Sequence, residues 1–234
     1  MKSRRKSPVN LVITEPQHCS IHLRLKILGR LPFFAGLSAK ALEVINQRFV
    51  EVGYQADEMI YAAGDPAERL FVVAEGKIKL LQHPANGRNI MLHILSSGEF
   101  FGNLTTMGVV TYPDTAQAQT QACVLSIRAD DFRQILDDHP GLALKALEVL
   151  GERLSSANRR VLQLSSMPVE QRIAFTLLEL GQKLGYPQDM GMLIDVPLSR
   201  DDLAEMTGAT PETVSRVMSQ LQNKIGRASC RERV

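Results

Sequence analysis

Between residues 49 and 127, runs rich in valine, isoleucine, leucine and phenylalanine alternate with breaks that contain glycine. This spacing is typical of the turns in all-β barrels and sandwiches. The dipeptide Asn86-Gly87 is a hairpin signal between two of the runs. The segment is long enough for about eight strands, as in a jelly roll. A short helix is predicted just before it, with Leu37, Leu42 and Ile45 on one face.

After Pro140 the pattern changes to that of a helix, because proline opens a helix well and strong helix formers follow. Apolar residues recur at alternating steps of four and three, the spacing of a seam between two helices. The alternative is an amphipathic helix packed on its own barrel. We predict a dimerisation helix over residues 139–165, and its interface residues are Leu147, Leu150, Leu154, Ala157, Val161 and Leu164.

A third module follows the break at Pro168, which restarts a helix that ends at Gly185. Residues 186–192 are expected to form a loop, and residues 193–196 a short strand. The last residues show no strand alternation, and we expect residues 227–234 to be non-native.

The segment from residue 198 to residue 217 predicts a helix-turn-helix. Ser199 is suited to cap a first helix, with Asp202 at the capping-box position. Gly208 ends this short helix, and Thr210-Pro211 begins a second one, with threonine as the cap and proline at the first position. Small and apolar residues stand where the two helices must pack, at Ala204, Gly208, Val214 and Val217.

The second helix of such a motif places its N-terminal residues on base edges in the major groove. Glu212 and Arg216 lie one turn apart on its outer face, where a carboxylate accepts from cytosine N4 and a guanidinium donates to guanine. An exposed ion pair is the alternative. The predicted DNA-binding residues are Ser199, Arg200, Thr210, Glu212, Thr213, Ser215 and Arg216.

The order barrel, long helix, helix-turn-helix resembles the CRP/FNR family of bacterial transcription regulators, and residues 211–216 resemble the recognition helix of its FNR-like branch. The resemblance implies an α+β chain: an N-terminal double-stranded β-helix (jelly-roll) barrel of cyclic-nucleotide-binding type, a dimerisation helix and a C-terminal winged helix-turn-helix. A wing would be a hairpin after the second helix, and because the last residues show no strand alternation we expect the wing to be truncated. It also implies a homodimer that binds palindromic double-stranded DNA with TTGAT-like half-sites and contacts RNA polymerase. An effector sensed in the barrel would act through the dimer helix.

Residues 100–103 resemble the cassette that holds the cyclic-nucleotide phosphate in this family. Asn103 replaces the family's glutamate, and no arginine or lysine occurs from residue 103 to residue 123. Asp114 adds a negative charge instead, which disfavours cyclic AMP. A cyclic-nucleotide-responsive regulator stays an alternative. The candidate effector-pocket residues are Phe101, Gly102, Asn103, Leu104, Tyr112 and Thr115.

Other effectors leave weaker signals in the sequence. An iron–sulfur cluster needs four thiolates, whereas the chain has three cysteines, so a cluster is disfavoured. Haem stays open, because any of the five histidines offers an axial ligand. The segment from Tyr112 to Ala116 resembles regulators that answer nitric oxide or anaerobiosis. A cupin-like metal enzyme is the alternative of another class; it is disfavoured because the chain has no His-x-His pair, and no catalytic residue or metal ligand is predicted.

Composition adds little beyond a globular class. Hydrophobic residues make up 44% and the net charge is only +2, so any basic surface must be local. No segment approaches the roughly 20 apolar residues of a membrane span, and three widely spaced cysteines suggest reduced thiols in a cytoplasmic protein. The predicted domains are a basic, disordered tail (1–22), the sensor barrel (23–138), the dimerisation helix (139–165) and the DNA-binding domain (166–226).

Overall fold

A computed structural model describes residues 20–85, 87, 89–102, 110–188 and 191–225. The chain forms two units. One contains most residues before position 159, and the other contains the residues from 159 onwards together with segment 84–91. The predictions for Asn86, for the tail before residue 20 and for the end after residue 225 lie outside the described residues.

The described part of the first unit contains the predicted barrel. Its strands form two four-stranded sheets, ordered β1-β8-β3-β6 and β2-β7-β4-β5, which confirms the eight-stranded roll. Gly76 makes the turn after β3 with φ +86°, and a Cβ there would lie 2.4 Å from the Gln121 carbonyl oxygen. The strands are β1 (Val50–Tyr54), β2 (Met59–Tyr61), β3 (Arg69–Glu75), β4 (Ile78–Gln82), β5 (Ile90–Leu95), β6 (Phe100–Gly102), β7 (Thr115–Ala118) and β8 (Ala122–Arg128).

Helices cover the outer face of the first sheet. They are α1 (Ile21–Arg30), a 3₁₀ turn (Pro32–Phe34), α2 (Ala39–Asn46) and α3 (Ala129–Asp138). Phe33 is the hub of their packing, because its ring meets those of Phe34, Phe100 and Phe132 edge-on at centroid distances of 4.8, 5.1 and 5.9 Å. Such edge-to-face pairs add to the stability of a buried cluster.

The sequence reasoning missed two of these helices. Helix α1 already includes Ile21 and His22, so the tail predicted through residue 22 is two residues too long. Its start depends on Ser20, whose Oγ accepts a hydrogen bond from the Leu23 N–H at 3.2 Å. Helix α3 was not separated from the strands. Of the face predicted for α2, Leu42 and Ile45 lie in the helix, whereas Leu37 precedes it.

Helix α4 (Pro140–Ser166) starts at the predicted proline and ends two residues beyond the predicted seam. Leu142 and Ala146 are its buried residues, and both lie near its start. Most of this 27-residue helix therefore presents its apolar side chains to solvent in the single chain.

The second unit contains α5 (Val169–Leu184), a hairpin of β9 (Gly185–Gln188) and β10 (Gly191–Ile194), α6 (Arg200–Thr207) and α7 (Pro211–Ile225). The loop predicted over residues 186–192 is wrong, because strand residues of the hairpin occupy part of it. The strand predicted at 193–196 starts earlier, at Gly191, and ends at Ile194. The proline in β9 hides the strand from pattern reasoning, since proline cannot donate to a ladder; a two-stranded edge tolerates it. None of the described helices combines the length and the apolar composition that crossing a membrane requires.

Candidate DNA-binding and effector sites

The first helix of the helix-turn-helix begins with the predicted capping box. The Ser199 Oγ accepts a hydrogen bond from the Asp202 N–H at 3.0 Å. The Asp202 carboxylate accepts in return from the Ser199 N–H at 2.7 Å and from its hydroxyl at 2.8 Å. Because both ends of the box are satisfied, the start of α6 is fixed in place.

The turn between α6 and α7 has the predicted glycine. Gly208 adopts a left-handed conformation with φ +62°, which is costly for residues with a Cβ. After the turn, the Thr210 Oγ1 accepts from the Thr213 N–H at 3.3 Å and so caps α7. Val214 and Val217 are buried, as a helix-turn-helix requires.

The outer face of α7 carries the residues predicted to read bases. Glu212 and Arg216 are exposed, while Thr213 and Ser215 are half-buried. Arg200, at the start of α6, donates from Nη1 to the Ser215 Oγ at 2.8 Å. The structure thus brings Arg200 onto the recognition helix, and DNA contact by the predicted set stays a prediction.

Aromatic side chains fill the interior of the barrel. The rings of Tyr61 and Tyr112 stack with centroids 3.8 Å apart, and those of Phe71 and Phe101 stack at 5.2 Å. Tyr61 also lies 5.4 Å from Phe71, which joins the two pairs. The interior of the barrel is therefore occupied by the protein's own rings.

A polar edge borders these rings. The Tyr61 hydroxyl donates to the Asp114 Oδ1 at 2.9 Å, and burial raises the pKa of the Asp114 carboxyl above its usual value. The Tyr112 hydroxyl donates to the Arg69 carbonyl at 3.0 Å and accepts from the Arg69 N–H at 3.1 Å. The Ala63 N–H donates to Thr115.

Four of the six candidate pocket residues lie in the described part of the chain. Phe101, Tyr112 and Thr115 are buried, and Gly102 ends β6. Asn103 and Leu104 lie outside the described residues.

The sequence reasoning missed a cation that belongs to this region. Arg153 of α4 places its guanidinium 3.7 Å from the centre of the Phe100 ring and donates from Nη2 to the Phe100 carbonyl. Glu99 and Asp114 attract its charge. Reasoning on the loop after Asn103 overlooked it because it stands on a different element. Its only sequence signal is a basic residue next to the predicted seam.

Within the described ranges, no group of three or more histidine, cysteine, aspartate or glutamate residues is placed to hold a metal ion. Of the described histidines, His22, His83 and His93 are exposed and His139 is half-buried. Cys123 of β8 is disulfide-bonded, in contrast to the reduced thiols expected from the wide cysteine spacing.

Two family models match the chain. A cyclic nucleotide-binding domain matches residues 51–139, and a Crp-like helix-turn-helix domain matches residues 171–224. The first range contains β2 to β8 and all but one residue of β1, and the second contains α6 and all but one residue of α7.

Curated relatives and solved structures agree with these matches. The chain is 30% identical to the global nitrogen regulator of Synechocystis, over 72% of this chain and 76% of that protein. It is 26% identical to a CRP-like cAMP-activated global transcriptional regulator of Mycobacterium tuberculosis, over 85% and 89%. The structure of FixK2 from Bradyrhizobium japonicum superposes with a TM-score of 0.69 at 25% identity, covering 78% of this chain and 90% of that one. The two curated relatives are a transcriptional regulator and a nitrogen regulator. The chain belongs to the CRP/FNR family of transcription regulators.

Proposed function

We propose that this protein is a homodimeric regulator that reads a palindromic DNA site through α7 and responds to an effector other than cyclic AMP. The observation that carries the proposal is the geometry of α7. Its buried valines, Val214 and Val217, define the inner face, and Glu212 and Arg216 are exposed on the outer face. The cap of α6 and the turn at Gly208 precede this helix. This is the arrangement in which a recognition helix enters the major groove.

The DNA-reading role is tested by Arg216→Ala. A bidentate guanine contact is worth about 1–3 kcal/mol, so binding to a duplex with two TTGAT half-sites should weaken by that amount. Binding to a duplex of scrambled sequence should change little. Arg133→Ala removes the same charge from the exposed face of α3 and serves as the matched control. All affinities are compared at one salt concentration.

Two outcomes matter for Arg216→Ala. A loss confined to the specific duplex supports base reading. Equal losses on the specific and the scrambled duplex would show that Arg216 holds only the phosphate backbone, and the assignment would be withdrawn.

Dimerisation through α4 is supported by the side chains that it leaves uncovered. Leu147, Leu154 and Val161 are 63%, 65% and 63% exposed in the single chain. A continuous apolar stripe of this length is unfavourable in water, and a second copy of the helix would cover it. Palindromic DNA sites mirror the two-fold symmetry of such a dimer.

The effector proposal depends on the charge at the barrel edge. Asp114 places a carboxylate beside the stacked tyrosines, and a cyclic phosphate near it would meet repulsion in a poorly solvated site. A nitric oxide or low-oxygen signal is proposed from the resemblance of residues 112–116 alone. The cyclic-nucleotide alternative is favoured by the family model and by Arg153, which supplies a cation nearby.

A single measurement decides whether the protein binds haem. An absorption spectrum of the protein as purified would show the intense Soret band if haem were bound. Its appearance would make one of the histidines a candidate axial ligand. RNA polymerase is proposed as the second macromolecular partner on the strength of family membership.

A further inference from the structure

Arg200 and Ser215 connect the two helices of the helix-turn-helix. Arg200 is the first residue of α6, and Ser215 lies in the second turn of α7. The Arg200 Nη1 donates to the Ser215 Oγ at 2.8 Å, and both residues are half-buried. Ser215 follows Glu212 by three residues and precedes Arg216, so it borders the exposed face that those two define.

The hydrogen bond has a defined direction. A guanidinium has only donors, whereas a serine hydroxyl has one donor and two acceptor lone pairs. The bond from Arg200 therefore occupies a lone pair of Ser215 and leaves the hydroxyl proton to donate elsewhere. A hydrogen bond from a charged donor also polarises the hydroxyl and strengthens it as a donor.

Ser219, one turn further along α7, shows the ordinary alternative. Its hydroxyl donates to the Ser215 carbonyl at 3.0 Å, which is the back-bond that helical serines commonly form. Its proton is thereby used within the helix. In the part of the chain that the structure describes, the bond from Arg200 is the hydrogen bond that holds the Ser215 hydroxyl.

We propose that Arg200 is a positioning residue that sets the Ser215 hydroxyl as a hydrogen-bond donor toward a base acceptor in the major groove. The acceptors presented there are N7 and O6 of guanine, N7 of adenine and O4 of thymine, whereas the cytosine edge presents an amino donor. Ser215 thus selects a base by its acceptor, and Arg200 determines that selection through Ser215 without contacting a base itself. This inference rests on the proposed DNA-reading function.

The experiment starts from the full chain and duplexes of random sequence. Selection of bound duplexes gives the preferred site, and single base-pair changes then give a discrimination ratio at each position. Arg200→Lys keeps the positive charge but loses the planar fork that reaches Ser215. Arg200→Met, which keeps a stem of similar length without a donor, is the second variant if the first unfolds. Thermal unfolding verifies that each variant folds.

The proposal expects Arg200→Lys and Ser215→Ala to lose discrimination at the same base pair, on the order of tenfold each. The double variant should lose no more than either single one, because both remove one contact. Arg216→Ala should lose discrimination at a different base pair.

Three results would overturn the positioning role: unchanged discrimination in Arg200→Lys, losses that add in the double variant, or a uniform loss on all sequences. The last would mark Arg200 as a phosphate contact. A wild-type protein without any sequence preference would instead reject the proposed function itself, before any variant is compared.

Discussion

At the scale of single residues, Asp114 leads to a prediction about pH. Burial raises the pKa of its carboxyl, so ionising Asp114 is less favourable in the folded state than in the unfolded one, and the ionised form lowers stability. Asp114→Asn keeps an acceptor for the Tyr61 hydroxyl without that charge. The variant should therefore have the higher free energy of unfolding at neutral pH.

The sign of the pH dependence follows from linkage. The advantage of Asp114→Asn should shrink as the pH falls through the raised pKa and vanish below the unfolded value of about 3.9. Urea denaturation at a series of pH values measures it. Glu43→Gln, at an exposed position in α2, should shift stability by less than about 0.5 kcal/mol throughout. An advantage that grows toward acid pH would contradict the burial of Asp114.

Residues whose roles are local were predictable from sequence. Ser199, Asp202 and Gly208 act on backbone groups within a few positions, so their spacing along the chain reveals them. Arg153 was not predictable, because its partner Phe100 lies 53 residues away. Its role depends on how α4 runs along the barrel, which periodicity does not specify.

At the scale of elements, the cap of α6 gives a measurable increment. Ser199→Ala removes the acceptor for the Asp202 N–H and should lower the free energy of unfolding by about 1 kcal/mol. Ser219→Ala, whose hydroxyl only back-bonds within α7, is the control and should change stability by less than about half as much. Equal effects of the two would mean that the capping box contributes no specific stability.

The exposed seam of α4 is tested by charge. Leu150→Lys with Leu154→Lys places two cations from each protomer against those of its partner, and desolvating them unpaired is costly. Sedimentation should then report monomers. Leu178→Lys, at an exposed position of α5, is the matched control and should leave the dimer intact. A dimer that survives the double change would show that α4 is not the interface.

Elements were predicted correctly where one apolar period persists over many residues, and they were missed where the periodic segment is short. Helices α4 and α5 have long apolar periods and clear proline or glycine ends, and their bounds were predicted within two residues. Helix α3 follows β8 without a break in the chain, and the β9–β10 hairpin contains a proline. In both places the local sequence pattern indicates the element only weakly, and tertiary contacts in the folded chain stabilise it.

At the scale of the whole molecule, the order of barrel, long helix and helix-turn-helix was predictable, because it is carried by several independent motifs. The candidate effector site was not, since its side chains meet only in the folded barrel. Two of them, Tyr61 and Asp114, are 53 positions apart and join through one hydrogen bond.

Calorimetric titration with cyclic AMP tests the effector proposal. We expect no binding in the low micromolar range, because Asp114 repels the phosphate and its desolvation costs free energy. Asp114→Asn removes the repulsion, and binding gained by this variant alone would identify the charge as the barrier. Binding by the wild-type protein would show that Arg153 or the second protomer offsets it.

The stack of Tyr61 on Tyr112 has an optical consequence. The chain contains no tryptophan and only four tyrosines, so no indole masks the tyrosine emission, and two of the four tyrosines stack face to face in the barrel. A molecule that enters the barrel must alter the packing of this pair. Near-ultraviolet circular dichroism and tyrosine fluorescence of the unlabelled protein should therefore change on effector binding, which allows candidate compounds to be screened without any dye.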